Sequence, residues 1–581
     1  MIDSVTWKIG GEAGFGIMSS GTMLAKTFSR VGYHVLATNE YPSLIRGGHN
    51  LVTVRIATST FEAMNRDLHI MVALNRETVD LHKQELNENA LIIFDPKDGE
   101  LKPSDFLKPV KLIAVPLTEL VTKFNGEPVM RNTVAIGASI ALLGAPFANL
   151  ETVIADQFKK KGADVVKHNV DIARAGFDFV KQTYGGENSM NLSPVTKKEE
   201  QLIVNASEAI GIGAVRADLK FAAIYPMTPI NALITFLADH AKSLNIVYKQ
   251  PEDEIAGINM AIGASLAGVR SMVATSGGGF ALMVEGLSWA GMIEAPLVID
   301  LGMRVGPSTG MPTWSEQGEL QFAIHAGHGE FPRIVLAPAD AADAYALTVE
   351  AFNLADRYQV PVFLLTDKYI NESQWCVPKS QVSGDVVIDR GKLAKDTDLP
   401  ADGSFKRYDL STPDGVSTRS VPGQKGGFYY ADSYEHDEIG HVTEKPEVRV
   451  AMAGKRLKKF EAMKKDVKPP TVYGDTEAEI TFVTWGSTRG PVLEAMKLLQ
   501  AQGKKVKLVH FSWIYPFPTE GAMKLLSPAT HLVDVEQNAT GQMASLIREH
   551  TGILIKEKLL KNDGRIWYPE EIVGKVSYLW Q

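Results

Sequence analysis

The chain carries a single cysteine, Cys376, in 581 residues. An intrachain disulfide framework is therefore excluded, and a reducing cytoplasm is the expected setting. The same scarcity excludes a cysteine-ligated iron–sulfur cluster held by this chain alone, because such a cluster needs several thiolates. Like charge is not concentrated either: the net charge of -8 comes without blocks beyond short mixed runs such as "KKEE" and "RLKKFEAMKK". Nothing here attracts nucleic acid. No apolar run reaches membrane-spanning length, and "MIDSVTWKIGGEAGFG" lacks a charged segment followed by an apolar one, so a soluble cytoplasmic protein is expected. There is no phosphate loop ending in Gly-Lys-Ser/Thr, no His-Glu-x-x-His, no Gly-x-Ser-x-Gly and no Cys-x-x-Cys, which leaves hydrolase and metalloprotease readings with little support.

What is present is α/β rhythm in three blocks. At 45% hydrophobic residues the chain can build several cores. Residues 1–187 alternate strand-like segments ("VTWKI", "HVLATNE", "LVTVRIA", "HIMVALN", "ALIIFD") with helical ones. Residues 188–200 are polar and turn-rich and read as a linker. Residues 201–380 repeat the rhythm with near-continuous apolar strands ("RSMVATSG", "APLVIDLGM", "VPVFLLTDKYI"), as in a parallel sheet covered on both faces. Residues 381–477 are charged and weakly periodic, which suggests a long excursion over the surface or onto a partner. Residues 478–581 form a compact third block in which "KVKLVHFSWIYPF" reads as one strand and "HLVDVEQNATGQ" as a strand-to-turn.

Six stretches could carry chemistry. In "KIGGEAGFGIMSSG", Gly10, Gly11, Gly14 and Gly16 sit between strand and helix, where backbone amides can meet an anion. Ser19 stands where a dinucleotide fingerprint has its last glycine, and a bare tight turn accounts for the stretch equally well. In "NEYPSLIRGGHN", Arg46 suits a carboxylate or phosphate, although a surface pair with Glu40 is the simpler account; a solvated His49 is likewise the simpler one. "QPEDEIAGINMAIGASLAG" places Glu252, Asp253 and Glu254 at a helix start, where capping alone would explain them. The small residues behind Glu254 allow another surface or a flat ring to come close. "ATSGGGF" ends a strand in Gly277-Gly278-Gly279, a triplet that leaves room for something else to fit, or a simple turn. "DLGMRVGPSTGMPTWSEQGEL" follows a strand with Arg304 among hydroxyls, a setting suited to a small carboxylate, or else an ordinary helix cap. In "YPMTP", Pro226 and Pro229 stiffen Tyr225 and Thr228 where a strand leaves its sheet.

Together, "YPMTP", "EDEIAGINMAIGAS", "ATSGGGF", "RVGPSTGMPT" and "LVDVEQNATGQ" resemble the α subunit of 2-oxoacid:ferredoxin oxidoreductases, and "GGEAGFG" with "EYPSLIRGGHN" resembles that family's γ domain fused ahead of it. The layout looks most like the 2-oxoglutarate enzymes. The resemblance implies an α/β multidomain chain: a γ domain, a thiamine-diphosphate-binding domain of pyrimidine type, and a transketolase C-terminal-like domain. It implies conversion of a 2-oxoacid and coenzyme A to an acyl-CoA and carbon dioxide, with electrons passed to ferredoxin.

By motif position it implies Glu254 as the carboxylate beside the thiamine aminopyrimidine, Tyr225, Pro226 and Gly277 as cofactor neighbours, and Thr228, Arg304 and Thr313 as contacts of the substrate carboxylate. Arg46 is implied as a coenzyme A phosphate contact. The cofactor's diphosphate with Mg2+ and a [4Fe-4S] cluster are expected on a separate β subunit, in an (αβ)2 heterotetramer. Gly278 stands where the family more often has proline, and Trp314-Ser315 where a Lys-Thr pair is frequent, so substrate fit is less defined than fold. The rivals are the same chemistry on pyruvate or a branched or aromatic 2-oxoacid, a transketolase-like carboligase, and a non-catalytic nucleotide-binding regulatory protein.

Overall fold

In the computed structural model the described residues are 1–44, 47–185, 190–197 and 199–580, and they divide into two compact units. The first comprises Met1–Val204, Ser373–Gln381 and Tyr568–Gly574. Its eight-stranded sheet runs in the order Val110–Ala114, Leu86–Phe94, Leu68–Ala73, Ser4–Glu12, His49–Ala57, His34–Glu40, Gln374–Pro378 and Gln201–Val204. The first four strands are parallel and the rest pair antiparallel. Trp7, Ile9, Val54 and Ile70 fill its core, with helices such as Arg131–Leu142 packed over it. The edge strand Gln201–Val204 follows directly on the linker, of which residues 188, 189 and 198 lie outside the described residues.

Cys376 lies in this sheet, its thiol donating to Gln201 Oε1 at 2.8 Å, and burial pushes the thiol up to about 11. It is an inert packing residue. The glycine turn also has a local account. Gly16 takes a positive φ of 67° at the start of the helix Ile17–Ser29, and Asn132 donates to the Phe15 carbonyl beside it at 2.9 Å. A side chain at Gly10 would run into Thr78 and His49. His49 is not a solvated loop residue: its Nε2 meets His82 Nε2 at 3.0 Å.

The second unit comprises Asn205–Glu372, Val382–Trp567 and Lys575–Gln581. A seven-stranded sheet is ordered Trp513–Tyr515, Ile334–Leu336, Pro361–Asp367, Leu297–Met303, Arg270–Thr275, Leu219–Ala223 and Val247–Lys249. All pair in parallel except the first, which is antiparallel. A five-stranded sheet is ordered Thr471–Gly474, Val506–Phe511, Ile480–Trp485, Leu532–Glu536 and Glu557–Leu560.

"KVKLVHFSWIYPF" is thus two strands, Val506–Phe511 in the smaller sheet and Trp513–Tyr515 at the edge of the larger. One apolar cluster, from Ile258 and Phe363 through Trp485 to Ile547, is shared by the second and third sequence blocks, so they bury apolar surface as one body. Residues 382–477 pack back onto this body. The Glu294 carboxylate receives Lys455 at 2.7 Å and Lys459 at 2.6 Å, and Asp356 receives Arg270 and Arg419. The charged composition of that stretch serves buried ion pairs as well as surface.

Candidate active site

At the carboxyl ends of the parallel strands of the second unit, four segments supply the residues singled out above, where open α/β sheets place ligands. The first follows Leu219–Ala223. The Thr228–Pro229 peptide is cis, and the helix Asn231–His240 begins directly after. Tyr225 is half-buried and Pro226 exposed.

The second segment begins the helix Glu254–Leu266. Asp253 caps it, accepting from Ala256 N at 2.8 Å, so capping is assigned to the neighbour of Glu254. Glu254 itself is 3% exposed, and its Oε1 is sealed from solvent with no hydrogen-bond partner among the described residues. A buried carboxylate oxygen without a donor is costly and calls for an explanation outside ordinary packing.

The third segment is the glycine triplet, which opens the helix Gly277–Met292 and does not end the preceding strand. A Cβ on Gly279 would overlap Glu254 Oε1 and Thr275 Oγ1. A Cβ on Gly277 would lie 2.5 Å from Glu319 Oε1. Gly278 faces open space apart from the Ser308 carbonyl, 4.0 Å from its Cβ position. Two of the three glycines are therefore fixed by carboxyl groups pressing on the first turn of one helix. Ser276, which precedes it, has a buried hydroxyl with no partner.

The fourth segment runs from Arg304 to Glu319. Arg304 is 8% exposed, and its Nη1 donates to the Thr228 carbonyl at 2.9 Å. Thr313 is 4% exposed and its Oγ1 is sealed and unpartnered. The loop between them is held by backbone hydrogen bonds between Val305 and Met311 and between Val305 and Trp314, and by Gly306 N donating to Glu316 at 3.1 Å.

From the third sequence block, the turn "EQNATGQ" locks this loop. Gln317 N donates to the Gln537 carbonyl at 2.7 Å, Gln537 N donates to Gln317 Oε1 at 3.0 Å, and Gln537 Nε2 donates to the Ser315 carbonyl at 2.8 Å. Beneath it, Asp367 accepts from Ser487 Oγ and from Ile370 N at 3.1 Å. Burial raises Asp367 to about 6. Further inside, Thr366 donates to Asp300 at 2.9 Å, and burial raises Asp300 to about 7.

The structure thus joins Thr228 to Arg304, and ties Glu254 and Gly277 to one helix start. Arg46 lies outside the described residues. Glu319 and Asp300 were not foreseen: each is a lone acidic residue whose only local signal is an acid set in an apolar or glycine-rich stretch. Among the described residues there is no group of three or more His, Cys, Asp or Glu that could hold a metal ion. No helix of the described residues is long and apolar enough to cross a membrane.

The chain matches three family models: "Pyruvate ferredoxin/flavodoxin oxidoreductase" over residues 6–179, "Pyruvate flavodoxin/ferredoxin oxidoreductase, thiamine diP-bdg" over 212–455, and "Pyruvate:ferredoxin oxidoreductase core domain II" over 478–572. The 2-oxoacid:ferredoxin oxidoreductase subunit alpha of Saccharolobus solfataricus is 32% identical over 98% of this chain and 96% of its own. The 2-oxoglutarate synthase subunit KorA of Archaeoglobus fulgidus is 31% identical over 65% of this chain and 99% of its own. A solved structure, the 2-oxoglutarate:ferredoxin oxidoreductase of Magnetococcus marinus with 2-oxoglutarate, coenzyme A and succinyl-CoA bound, is 31% identical and superimposes over 100% of both chains with a TM-score of 0.92.

The second unit accordingly contains a thiamine-diphosphate-binding domain, and its residues fit that group: a flat basic ring needs a dry carboxyl with which to share a proton and a surface without side chains, which Glu254 and the glycine turn provide. With the alpha-subunit relative matched along almost its whole length, the chain belongs to the 2-oxoacid:ferredoxin oxidoreductase family, as an α subunit.

Proposed function

We propose that this chain, with a β subunit, converts 2-oxoglutarate and coenzyme A, with two oxidised ferredoxins, to succinyl-CoA, carbon dioxide, a proton and two reduced ferredoxins. The choice of acid is supported by the KorA relative and by the Magnetococcus marinus enzyme, whose bound ligands are 2-oxoglutarate, coenzyme A and succinyl-CoA. The observation that carries the chemistry is the sealed, partnerless Glu254 Oε1 beside a glycine turn.

Thiamine diphosphate, when bound, supplies the nucleophilic carbon and the electron sink for decarboxylation. Glu254 would share a proton with the ring nitrogen of the aminopyrimidine through Oε1, donating to it when protonated and accepting from it once the ring holds the proton, and its dry surroundings strengthen that bond. Gly277, with Tyr225 and Pro226, would border the ring. Arg304, with the hydroxyls of Thr313 and Thr228, would hold the substrate's 1-carboxylate. Arg304 is already oriented by its bond to the Thr228 carbonyl, so little ordering is left for binding.

The β subunit would contribute the diphosphate and Mg2+ contacts and the [4Fe-4S] cluster, completing an (αβ)2 tetramer that works in the cytoplasm with ferredoxin. Two features support a docked partner here. The single cysteine leaves the cluster's ligands to another chain. Ile255, Met260 and Leu282, 48%, 42% and 52% exposed, stand on the two helices that begin at Glu254 and Gly277. The family matches over 6–179 and 478–572 also support a γ domain at 1–187 and a transketolase C-terminal-like domain at 478–581, whereas the thiamine-binding match over 212–455 carries the pyrimidine-binding domain beyond 201–380 into the stretch that follows it.

The test is reduction of a low-potential acceptor by the co-purified complex with coenzyme A and a panel of 2-oxoacids. Highest kcat/KM with 2-oxoglutarate is expected. Turnover only with pyruvate or a branched acid would replace the substrate, and a colourless preparation with no second chain and no turnover would overturn the enzyme reading.

A further inference from the structure

A second buried carboxyl borders the glycine turn and has no part in the scheme above. Glu319 ends the loop that begins at Arg304. Although part of the residue reaches the surface, its Oε2 is sealed from solvent and has no hydrogen-bond partner among the described residues. Its Oε1 lies where a side chain on Gly277 would begin, 2.5 Å from that Cβ position. Glu254 presses on Gly279 and Glu319 on Gly277, so the same helix start is approached by two carboxyls.

The charged groups acting on Glu319 are Glu316, on its own loop, and Arg304 at the end of the strand Leu297–Met303. Glu254 stands across the glycine turn. Among the described residues Arg304 has no carboxylate at ion-pair distance, and its guanidinium donates to a neutral carbonyl. Burial first, and then the charge of Glu316, raise Glu319 to about 8 against the pull of Arg304. Raised in this way, the carboxyl favours its protonated form near neutral pH, and among the described residues Arg304 then has no carboxylate charge beside it.

We propose that Glu319 is a positioning residue that controls oxoacid affinity through its charge: uncharged, it leaves Arg304 to the substrate carboxylate, and ionised, it partly offsets the charge of Arg304 through space and repels the acid. This rests on the reading of Arg304 as the carboxylate contact. The carboxylates of 2-oxoglutarate stay ionised across neutral and alkaline pH, so a change in affinity there arises in the protein.

The experiment follows KM and kcat for 2-oxoglutarate, and KM for coenzyme A, from pH 6.5 to 9.5 at constant ionic strength, in the assembled wild-type complex and in Glu319→Gln. The wild-type oxoacid KM should rise above about pH 8, by up to about tenfold per pH unit for one titrating group. In Glu319→Gln the rise should vanish, while the wild-type to variant ratio of kcat, and the coenzyme A KM ratio, stay level with pH. Should Glu319→Gln fail to assemble, Glu316→Gln serves: losing its negative charge moves the onset of the rise to lower pH. A wild-type KM flat with pH, a rise that survives Glu319→Gln, or an onset indifferent to Glu316→Gln overturns the proposal. Wild type that turns over no 2-oxoacid overturns the functional reading and this one with it, whereas turnover with a flat KM overturns only the role of Glu319.

Discussion

Arg304 reaches Thr228 through the main chain: its guanidinium donates to the Thr228 carbonyl at 2.9 Å, while the Thr228 hydroxyl is met by Asn231 Nδ2 at 3.4 Å. The arginine is therefore placed by a backbone group that no side-chain substitution removes. Arg304→Ala should raise the oxoacid KM by the equivalent of about 2 to 5 kcal/mol, as for loss of a buried charge contact, with a much smaller change for coenzyme A. Thr228→Val leaves the carbonyl in place and should raise the same KM by no more than one hydrogen bond's worth, about 1 kcal/mol. Steady-state kinetics on both variants checks the ranking, and a Thr228→Val effect as large as that of Arg304→Ala would contradict it.

Glu254 and Gly279 form the second coupled pair. Glu254→Gln should lower kcat by about 10²- to 10⁴-fold, the range for loss of a proton-handling group, with the complex intact by gel filtration. Gly279→Ala places a methyl against Glu254 Oε1 and Thr275 Oγ1, whereas Gly278→Ala meets only the Ser308 carbonyl at 4.0 Å. The Gly279 variant should therefore lose far more activity than the Gly278 variant. Equal losses would mean that Glu254 is not held against the helix start in the working enzyme.

Much of this arrangement was legible because it is local. "APLVIDLGM" is an unbroken apolar run and gives the central strand Leu297–Met303, and the acids before "IAGINMAIGAS" mark a helix that does begin at Glu254. Two local readings failed for local reasons. "ATSGGGF" reads as a strand that ends in three glycines, yet a helix begins at Gly277, and carboxyl packing demands the missing side chains at Gly277 and Gly279. "KVKLVHFSWIYPF" carries no turn signal, although Ser512 is where the chain changes sheets. The lock between Gln317 and Gln537, 220 residues apart, was beyond reach, since a glutamine shows its partner only when the chain is folded. Glu319 was missed for the same reason: protonation depends on burial, and burial is non-local.

Glu294 ties residues 382–477 to the second unit. Its carboxylate receives two buried ammonium groups, Lys455 at 2.7 Å and Lys459 at 2.6 Å, and its carbonyl accepts from Arg407 at 3.0 Å. Glu294→Gln would strand buried positive charge and should destabilise the chain by about 3 to 5 kcal/mol, as when one partner of a buried pair is removed. Thermal melting together with limited proteolysis is the check, with new cleavage expected inside 382–477. Unchanged melting and an unchanged cleavage pattern would show that the ion cluster does not hold the segment.

Asp300 gives a pH dependence of stability with a definite sign. It is fully buried in the central strand, Thr366 satisfies Oδ1, Oδ2 has no partner, and burial raises it from 3.8 to about 7. Between those values the folded chain holds a proton that the unfolded chain has released, so stability falls as pH rises through the window and levels off above about pH 7. At about 1.4 kcal/mol per unit of displacement, the contribution is on the order of a few kcal/mol. Asp300→Asn removes the titration and keeps a polar group facing Thr366, so its denaturation midpoint should fall less between pH 5 and 7.5 than that of wild type. Parallel midpoint curves for the two proteins would mean that Asp300 is already ionised in the folded chain at pH 5 and that its buried charge is satisfied by some other group.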